Sequence, residues 1–570
     1  MKKKLLSALL AFALSLGTAT IPAAAAEVDS AGGQVSAQLN TVSLNGRTSS
    51  NVDRHIYNVW SKPVRSYLTE KADGTLERVE YDSENGKLFY EWYSSDGKTL
   101  KKSAEITNEL ELFGGFYSGS SNNFLVFGQN NYSEDNSREV MRVVKYTKDW
   151  KRISSASVKG ENTYIPFDAG SLRMAEYAGD LYIHTSHEMY ESADGLHHQS
   201  NMSFVMHENN MTIERWHSGY VSHSFNQFIK EDGKGVYRVD HGDAYPRAIA
   251  INKYLTSDAL WNSIETEAVD LSNTGDIGDN VTGASVGGFE LSGNNCIIAF
   301  NAVDFERKDV NVYDTRNIWL SVTDKNLSSS RNIKITDYSA DSSKEITTPQ
   351  LVKINDNRFL LMWEEFDNNT VYTKLAVVNA DGKMDSQGIV TSDVTLSDCQ
   401  PILCKDGLVR WYAGFGKNPV LYTVNPSALS QSANSKGTPK DIEEDIYLNL
   451  GDKIELCNKE YSADKYGHDW ISPYAYRRSI YYCIHVHKPA PKLISALPSV
   501  SGGIRVKWQA DKDGLYSLLR KNSDGKWESV GMTYNYDGGS EFASPIGARK
   551  TERRIPTRCR SLTQMSPARF

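Results

Sequence analysis

Phe359-Leu360-Leu361-Met362-Trp363 runs through a polar stretch to Leu375-Ala376-Val377-Val378 and closes in the turn Asp381-Gly382. Two apolar runs of strand length, a polar loop between them and an Asp-Gly pair behind them read as antiparallel strands with a tight turn. The same phrase recurs. Phe124-Leu125-Val126-Phe127 leads to Val143-Val144-Lys145-Tyr146 and the turn Lys148-Asp149-Trp150. Cys296-Ile297-Ile298-Ala299-Phe300 leads to Ile318-Trp319-Leu320-Ser321-Val322 and Asp324-Lys325-Asn326. Leu408-Val409-Arg410-Trp411 leads to Leu421-Tyr422-Thr423-Val424, and further Asp-Gly turns stand at Asp73, Asp96, Asp232 and Asp406.

The repeat length is about 40–55 residues, the span of a four-stranded propeller blade. It predicts blades near 62–105, 110–158, 165–216, 218–270, 283–336, 344–392 and 394–430. The expected fold class is therefore all-β, an about seven-bladed β-propeller over 62–430. A ring of this kind protects the strand edges that open sheets expose. Composition agrees: 31 Tyr, 18 Phe, 11 Trp and 41 Gly favour strands and turns, and long segments of helical period are hard to find.

The chain begins as an exported protein would. Lys2, Lys3 and Lys4 precede the apolar run Leu5 to Leu16, and Ala24, Ala25 and Ala26 supply small residues for cleavage, so 1–26 reads as a signal peptide and 27–61 as an N-terminal segment. The expected location is secreted or extracellular, in a bacterium. No stretch is long and apolar enough for a membrane span. Loss of three lysines takes the net charge from -8 to -11, which argues against nucleic acid as a partner. Six Cys in 570 residues do not make a disulfide scaffold; Cys457 and Cys483 either pair or stay as free thiols.

Behind the repeats, 431–488 reads as linker and uncharacterised sequence. Residues 489–540 carry Pro489-Ala490-Pro491, Ile504-Arg505-Val506-Lys507-Trp508, Tyr516-Ser517-Leu518-Leu519-Arg520-Lys521 and the turn Asp524-Gly525 before Trp527. This resembles part of a fibronectin type III module, which implies a partial β-sandwich with Trp508 in its core. The alternation stops after Ser540, and 541–570 hold seven Arg or Lys against two Glu, an atypical basic tail such as a frameshift or truncation would leave. A propeller followed by a type III module resembles secreted and surface proteins of Gram-positive bacteria.

Polar residues concentrate between 164 and 247, where eight of the twelve His fall between His184 and His241. In an antiparallel blade the loop between strands two and three opens on the same side as the passage to the next blade. That rule brings Asp168, Arg173, His184, His187, His198, Gln199, His223, Asn226, Asp240, His241, Asp243, Tyr245 and Arg247 to one face, with the polar loops Gln129 to Arg138 and Asp304 to Asp314 beside them. A concave site with a few convergent polar groups is the expected ligand site.

Imidazoles of His184, His187, His198, His223 and His241, with Gln199 and Gln227, could hold a divalent transition metal, though no short zinc signature is present. An imidazole could equally act as general base, oriented by Asp240 or Asp243, with Arg173 or Arg247 holding an anion. Or these groups satisfy one another and form a rigid rim. Ser192-Ala193-Asp194-Gly195 departs from the sialidase turn pattern, and no nucleophile elbow or phosphate loop occurs. The expected function is recognition of a glycan, peptide or small anion. The alternative is a carbohydrate hydrolase or metal-assisted lyase; oligogalacturonate lyases resemble this chain in using His and Gln on one propeller face. A third possibility is a scaffold for other surface proteins.

Overall fold

The structure, a computed structural model, describes residues 39–429 except 53–60, 62, 255–262, 309, 343, 368–369, 386–388 and 392–393, and beyond 429 the backbone of strands between 442 and 561. The signal peptide and Cys457 lie outside the described residues. The chain divides into two compact units, Met1–Gly414 with Asn418–Thr438, and Phe415–Lys417 with Pro439–Phe570.

The first unit is a β-propeller. Antiparallel four-stranded sheets form over 66–106, 112–159 and 284–334, and a five-stranded sheet over 345–391. The ring closes by pairing its two ends: Leu39–Ser43 adds to Val420–Val424 in the sheet that also holds Ile402–Leu403 and Val409–Ala413. Leu39 faces Val424 and Ser43 faces Val420.

Alternate residues of one strand feed two different cores. Phe124 and Val126 pack with Leu172, Ile183 and Phe204, whereas Leu125 and Phe127 pack with Val79, Leu88 and Tyr90. Ile297 and Ala299 turn to Leu361 and Val378, and Cys296, Ile298 and Phe300 turn to Ile251 and Phe289. Each sheet is buried on both faces, which is why its middle strands read as unbroken apolar runs. Glycine allows the closest approaches between sheets. A Cβ on Gly287 would stand 1.9 Å from the carbonyl oxygen of Pro349, in the next sheet's first segment.

Seven separate blades do not form. Five sheets have blade size, and residues 163–270 make one eight-stranded sheet where two blades were expected. The strand Thr212–Glu231 runs through the expected boundary at 216–218. His217-Ser218-Gly219 there contains neither Pro nor an Asx-Gly pair, and Tyr220-Val221 resumes strand-forming sequence. The strand bends instead of ending. Its register shifts between Ser224 and Gln227, and His223 adopts φ 52°.

In the second unit, Ile442–Asn449 pairs parallel with Ile480–His487. Two three-stranded sheets follow, Leu493–Pro498 with Ile504–Gln509 and Glu541–Ile546, and Trp527–Tyr534 with Leu515–Lys521 and Thr557–Ser561. Strands thus continue past Ser540 into the basic segment. The expected core position of Trp508 lies outside the described side chains.

Candidate functional site

The eight-stranded sheet carries most of the residues singled out in the sequence, and it splits them between a buried network and an open rim. The network is the part that joins its two halves. Buried His184 contacts Ser203 Oγ through Nδ1 at 2.8 Å and Asp240 Oδ2 through Nε2 at 3.1 Å. Asn201 Nδ2 and Ser224 Oγ donate to the same Asp240 carboxylate at 3.0 and 2.7 Å. Burial works to raise the Asp240 pKa, but the charge and hydrogen bond of His184, with Arg238 and Ser224, outweigh it and hold the group below its ordinary value.

Ser203, His184 and Asp240 therefore have the distances of a hydrolytic triad. All three are at most 1% exposed, and Arg238 Nη1 also donates to Ser203 Oγ at 2.8 Å. A nucleophile must reach its substrate, so this set holds strands together instead. Gln227 extends the network. Its Oε1 accepts from Ser171 N at 2.7 Å and its Nε2 donates to Ser224 Oγ at 2.7 Å.

The histidines do not converge on one centre. His187 is buried against Thr163 Oγ1 at 2.8 Å, and burial lowers its pKa to about 4. His241 is buried against Thr282 Oγ1 at 2.8 Å, and burial, then Arg316 and Arg247, lower it to about 3. Both are neutral at physiological pH. His198 contacts Asp194 Oδ2 at 2.7 Å. Among the described residues, no three His, Cys, Asp or Glu are grouped so as to hold a metal ion.

Two further expected ligands serve the scaffold. Arg247 donates to the carbonyl oxygens of Asp279, Thr274 and Val281 at 2.7, 2.7 and 3.0 Å, which fixes the connection to the next sheet. Asn226 donates to Val286 O at 2.7 Å and accepts from Ser171 Oγ at 2.9 Å. Arg173 lies directly opposite His184 across the strand pairing, but its guanidinium is in the central channel, 4.2 Å from the centre of the Phe228 ring.

What stays open is a rim around His223. His223 Nδ1 lies 2.9 Å from Asp243 Oδ1; the imidazole is half-buried, and the Asp243 hydrogen bond raises its pKa above the ordinary value. The His198 ring stacks beside it, with centroids 6.2 Å apart. Gln199 Nε2 donates to Asp168 O and Ser224 O at 2.8 and 2.6 Å. Burial raises the pKa of Asp168, and burial together with Asp168 raises that of Glu188. Ser61, at the end of the N-terminal segment, donates its backbone N–H to Phe225 O and Ala169 O at 2.9 and 3.1 Å.

Strain and unsatisfied groups collect here. Phe167, Ala169, His223 and Tyr245 all have positive φ, between 47 and 64°. His187 Nε2, Gln199 Oε1 and Asp243 Oδ2 are buried without a protein partner. Buried polar atoms of this kind call for water or a ligand.

The sequence reading missed the apolar part of the rim. Tyr132, Leu196, Tyr245, Ile277 and Tyr313 are exposed, and each sits on a loop of the same propeller edge: four between second and third strands, Ile277 on a passage between sheets. Of these only Tyr245, 73% exposed, was among the expected ligands. Beneath them Tyr164 stacks on His197 at 3.8 Å and meets Tyr132 edge-on at 5.2 Å. The signal in the sequence was an aromatic or large aliphatic residue inside each polar loop.

No family model and no curated protein matches the chain. Among solved structures, the chain is similar to the β-propeller domain of the Trilobed protease from Pyrococcus furiosus, at 9% identity over 63% of this chain and 96% of that one, with a TM-score of 0.34. It is similar to the polysaccharide lyase Uly1 at 10% identity over 68% and 100%, TM-score 0.40, and to Kuenenia stuttgartiensis hydrazine synthase at 9% over 63% and 96%, TM-score 0.39. These likenesses assign no activity to this chain.

Proposed function

We propose that this chain is a recognition protein that binds a glycan on the propeller edge carrying His223, Asp243 and Tyr245. The carrying observation is the set Tyr132, Leu196, Tyr245, Ile277 and Tyr313, five large apolar side chains exposed on loops of one edge. Exposed tyrosines among polar groups suit sugar rings, which present an apolar face and a rim of hydroxyls. Asp168 and Glu188, both partly exposed, supply acceptors for those hydroxyls. Export by residues 1–26 and a type III-like module behind the propeller complete the proposal; a surface-exposed protein would meet glycans there.

A second reading, a carbohydrate-active enzyme, draws on the His223–Asp243 pair. A carboxylate at Nδ1 orients an imidazole so that Nε2 faces outward as acid or base.

Affinity electrophoresis of the full chain through gels holding pectate, hyaluronan or xyloglucan tests both. Retardation by one polysaccharide that is lost in Tyr245→Ala and Tyr313→Ala, with no change in product ends, supports recognition. New reducing or unsaturated ends that vanish in His223→Ala would transfer the proposal to the enzyme. Unchanged retardation in both tyrosine variants would remove the tyrosine rim from the site.

A further inference from the structure

The propeller axis carries a cavity of about 350 Å³, lined by the first strands around the ring. Its wall is mostly apolar: Phe116, Phe228, Phe289 and Ile402 face it, with the phenol of Tyr67. Into this wall projects Arg173. Its Nη1 is buried and has no hydrogen-bond partner, and no carboxylate forms an ion pair with it among the described residues. Its contact is the Phe228 ring. A guanidinium left in such surroundings is costly unless something anionic completes it.

The neighbouring charges are spoken for. Asp398, whose charge Arg173 feels, accepts from Ser66 Oγ and from Arg65 N at 3.0 Å, and burial raises its pKa to about 7. Lys230 pairs with Glu290 at 2.9 Å. Glu231 accepts from Gly233 N at 2.6 Å and adds a negative charge to the wall. Tyr67 donates its hydroxyl to Val64 O at 2.6 Å. Arg173 is thus the cation of this wall without a paired carboxylate among the described residues, and because Glu231 already places a negative charge there, a ligand with a single negative charge fits better than one with two.

We propose that the central channel is a second binding site, taking a small organic monocarboxylate with an apolar body, its carboxylate on Arg173 and its body against Phe228 and Phe116. The planar fork of Arg173 matches a carboxylate with two parallel hydrogen bonds. The cavity has the size of small-molecule sites. This site uses none of the rim tyrosines, so it stands or falls separately from glycan recognition.

Calorimetry and thermal melting of the full chain with phenylacetate, phenylacetamide and inorganic phosphate test it. Phenylacetate is expected to bind and raise Tm, and phenylacetamide to do neither; phosphate is expected to bind at least about tenfold more weakly than phenylacetate. Arg173→Met is expected to abolish phenylacetate binding while the unliganded protein melts no lower than the wild type, because an unpaired buried charge has been removed. Arg173→Lys keeps the charge without the fork and is expected to weaken phenylacetate about tenfold or more, a readout that survives if the Met variant does not fold. Equal effects of phenylacetate and phenylacetamide, a phosphate response as strong as that of phenylacetate, or phenylacetate binding undiminished in either variant, would overturn the proposal.

Discussion

His184 Nε2 lies 3.1 Å from Asp240 Oδ2 although their strands, Asp180–Glu191 and Val236–Ala244, stand three places apart in one sheet. In a flat sheet three places are roughly 14 Å. The contact therefore requires the sheet to fold back on itself, and the fold lies in Thr212–Glu231, where the register slips and His223 takes a positive φ. The pair thus acts as a clasp between two halves that pack face to face like neighbouring blades.

Breaking this clasp leaves a buried charge without its partner. His184→Ala is expected to cost about 3 kcal/mol in urea unfolding at pH 7. The double variant with Asp240→Ala is expected to cost less than the sum of the two single losses, because each single change strands the other group. Additive losses would mean that the two residues contribute independently and that the contact does not organise the bend.

How much of this was legible beforehand depended on which faces a strand buries. Strands buried on both faces announce themselves: the runs Phe124–Phe127, Cys296–Phe300 and Phe359–Trp363 all fall inside observed strands. The Asp-Gly turns at Asp73, Asp96, Asp232, Asp381 and Asp406 all fall between paired strands of one sheet, whereas the sheet boundary expected at 216–218 is absent because a strand there bends without Pro or Asx-Gly. The clustering of histidines was visible, but their fates were not. His187 and His241 have neighbours such as Ser186, Glu188 and Asp240 in the sequence, as rim residues would, and only the packing shows them buried, against Thr163 and Thr282, and His184 buried against Asp240. Arg173 gave no sign that it would face the channel, since that depends on the ring's closure.

Close approach of sheets sets a steric limit at Gly287. Its added Cβ would meet backbone, the Pro349 carbonyl oxygen at 1.9 Å, and no rotamer change relieves that. Gly287→Ala is expected to lower stability by about 1–3 kcal/mol or more, as overpacking does. Gly233→Ala meets no neighbouring atom, yet its φ of 75° disfavours a side chain, so a smaller loss of about 1 kcal/mol is expected. A thermal melt in which the two variants behaved alike would contradict the tight seam between these sheets.

Buried His187 makes stability depend on acid in a definite direction. The unfolded imidazole takes up a proton as pH falls through about 6.5, whereas the folded one resists until about 4. The folded state therefore loses ground through that window, by about 1.4 kcal/mol per pH unit from this group. His187→Gln keeps a hydrogen-bonding side chain near Thr163 and removes the titration. Relative to wild type, its unfolding free energy is expected to improve by about 2 kcal/mol between pH 6.5 and 5. A difference that stays constant with pH would mean that His187 is not held neutral.

His223 titrates the opposite way, because Asp243 favours its charged form. The stability this pair provides is fully present below the unfolded pKa and is lost as pH rises through the elevated folded pKa. Asp243→Asn removes the charge and leaves the geometry, so the His223 ring protons are expected to titrate at lower pH in nuclear magnetic resonance spectra. The same variant separates the two functional readings. A charged His223 acts as a hydrogen-bond donor for a glycan, so recognition is expected to weaken at a lower pH in Asp243→Asn than in the wild type. An imidazole base is active when neutral, so turnover would gain at that lower pH instead. A His223 titration unmoved by Asp243→Asn would show that the 2.9 Å contact does not govern the imidazole's charge.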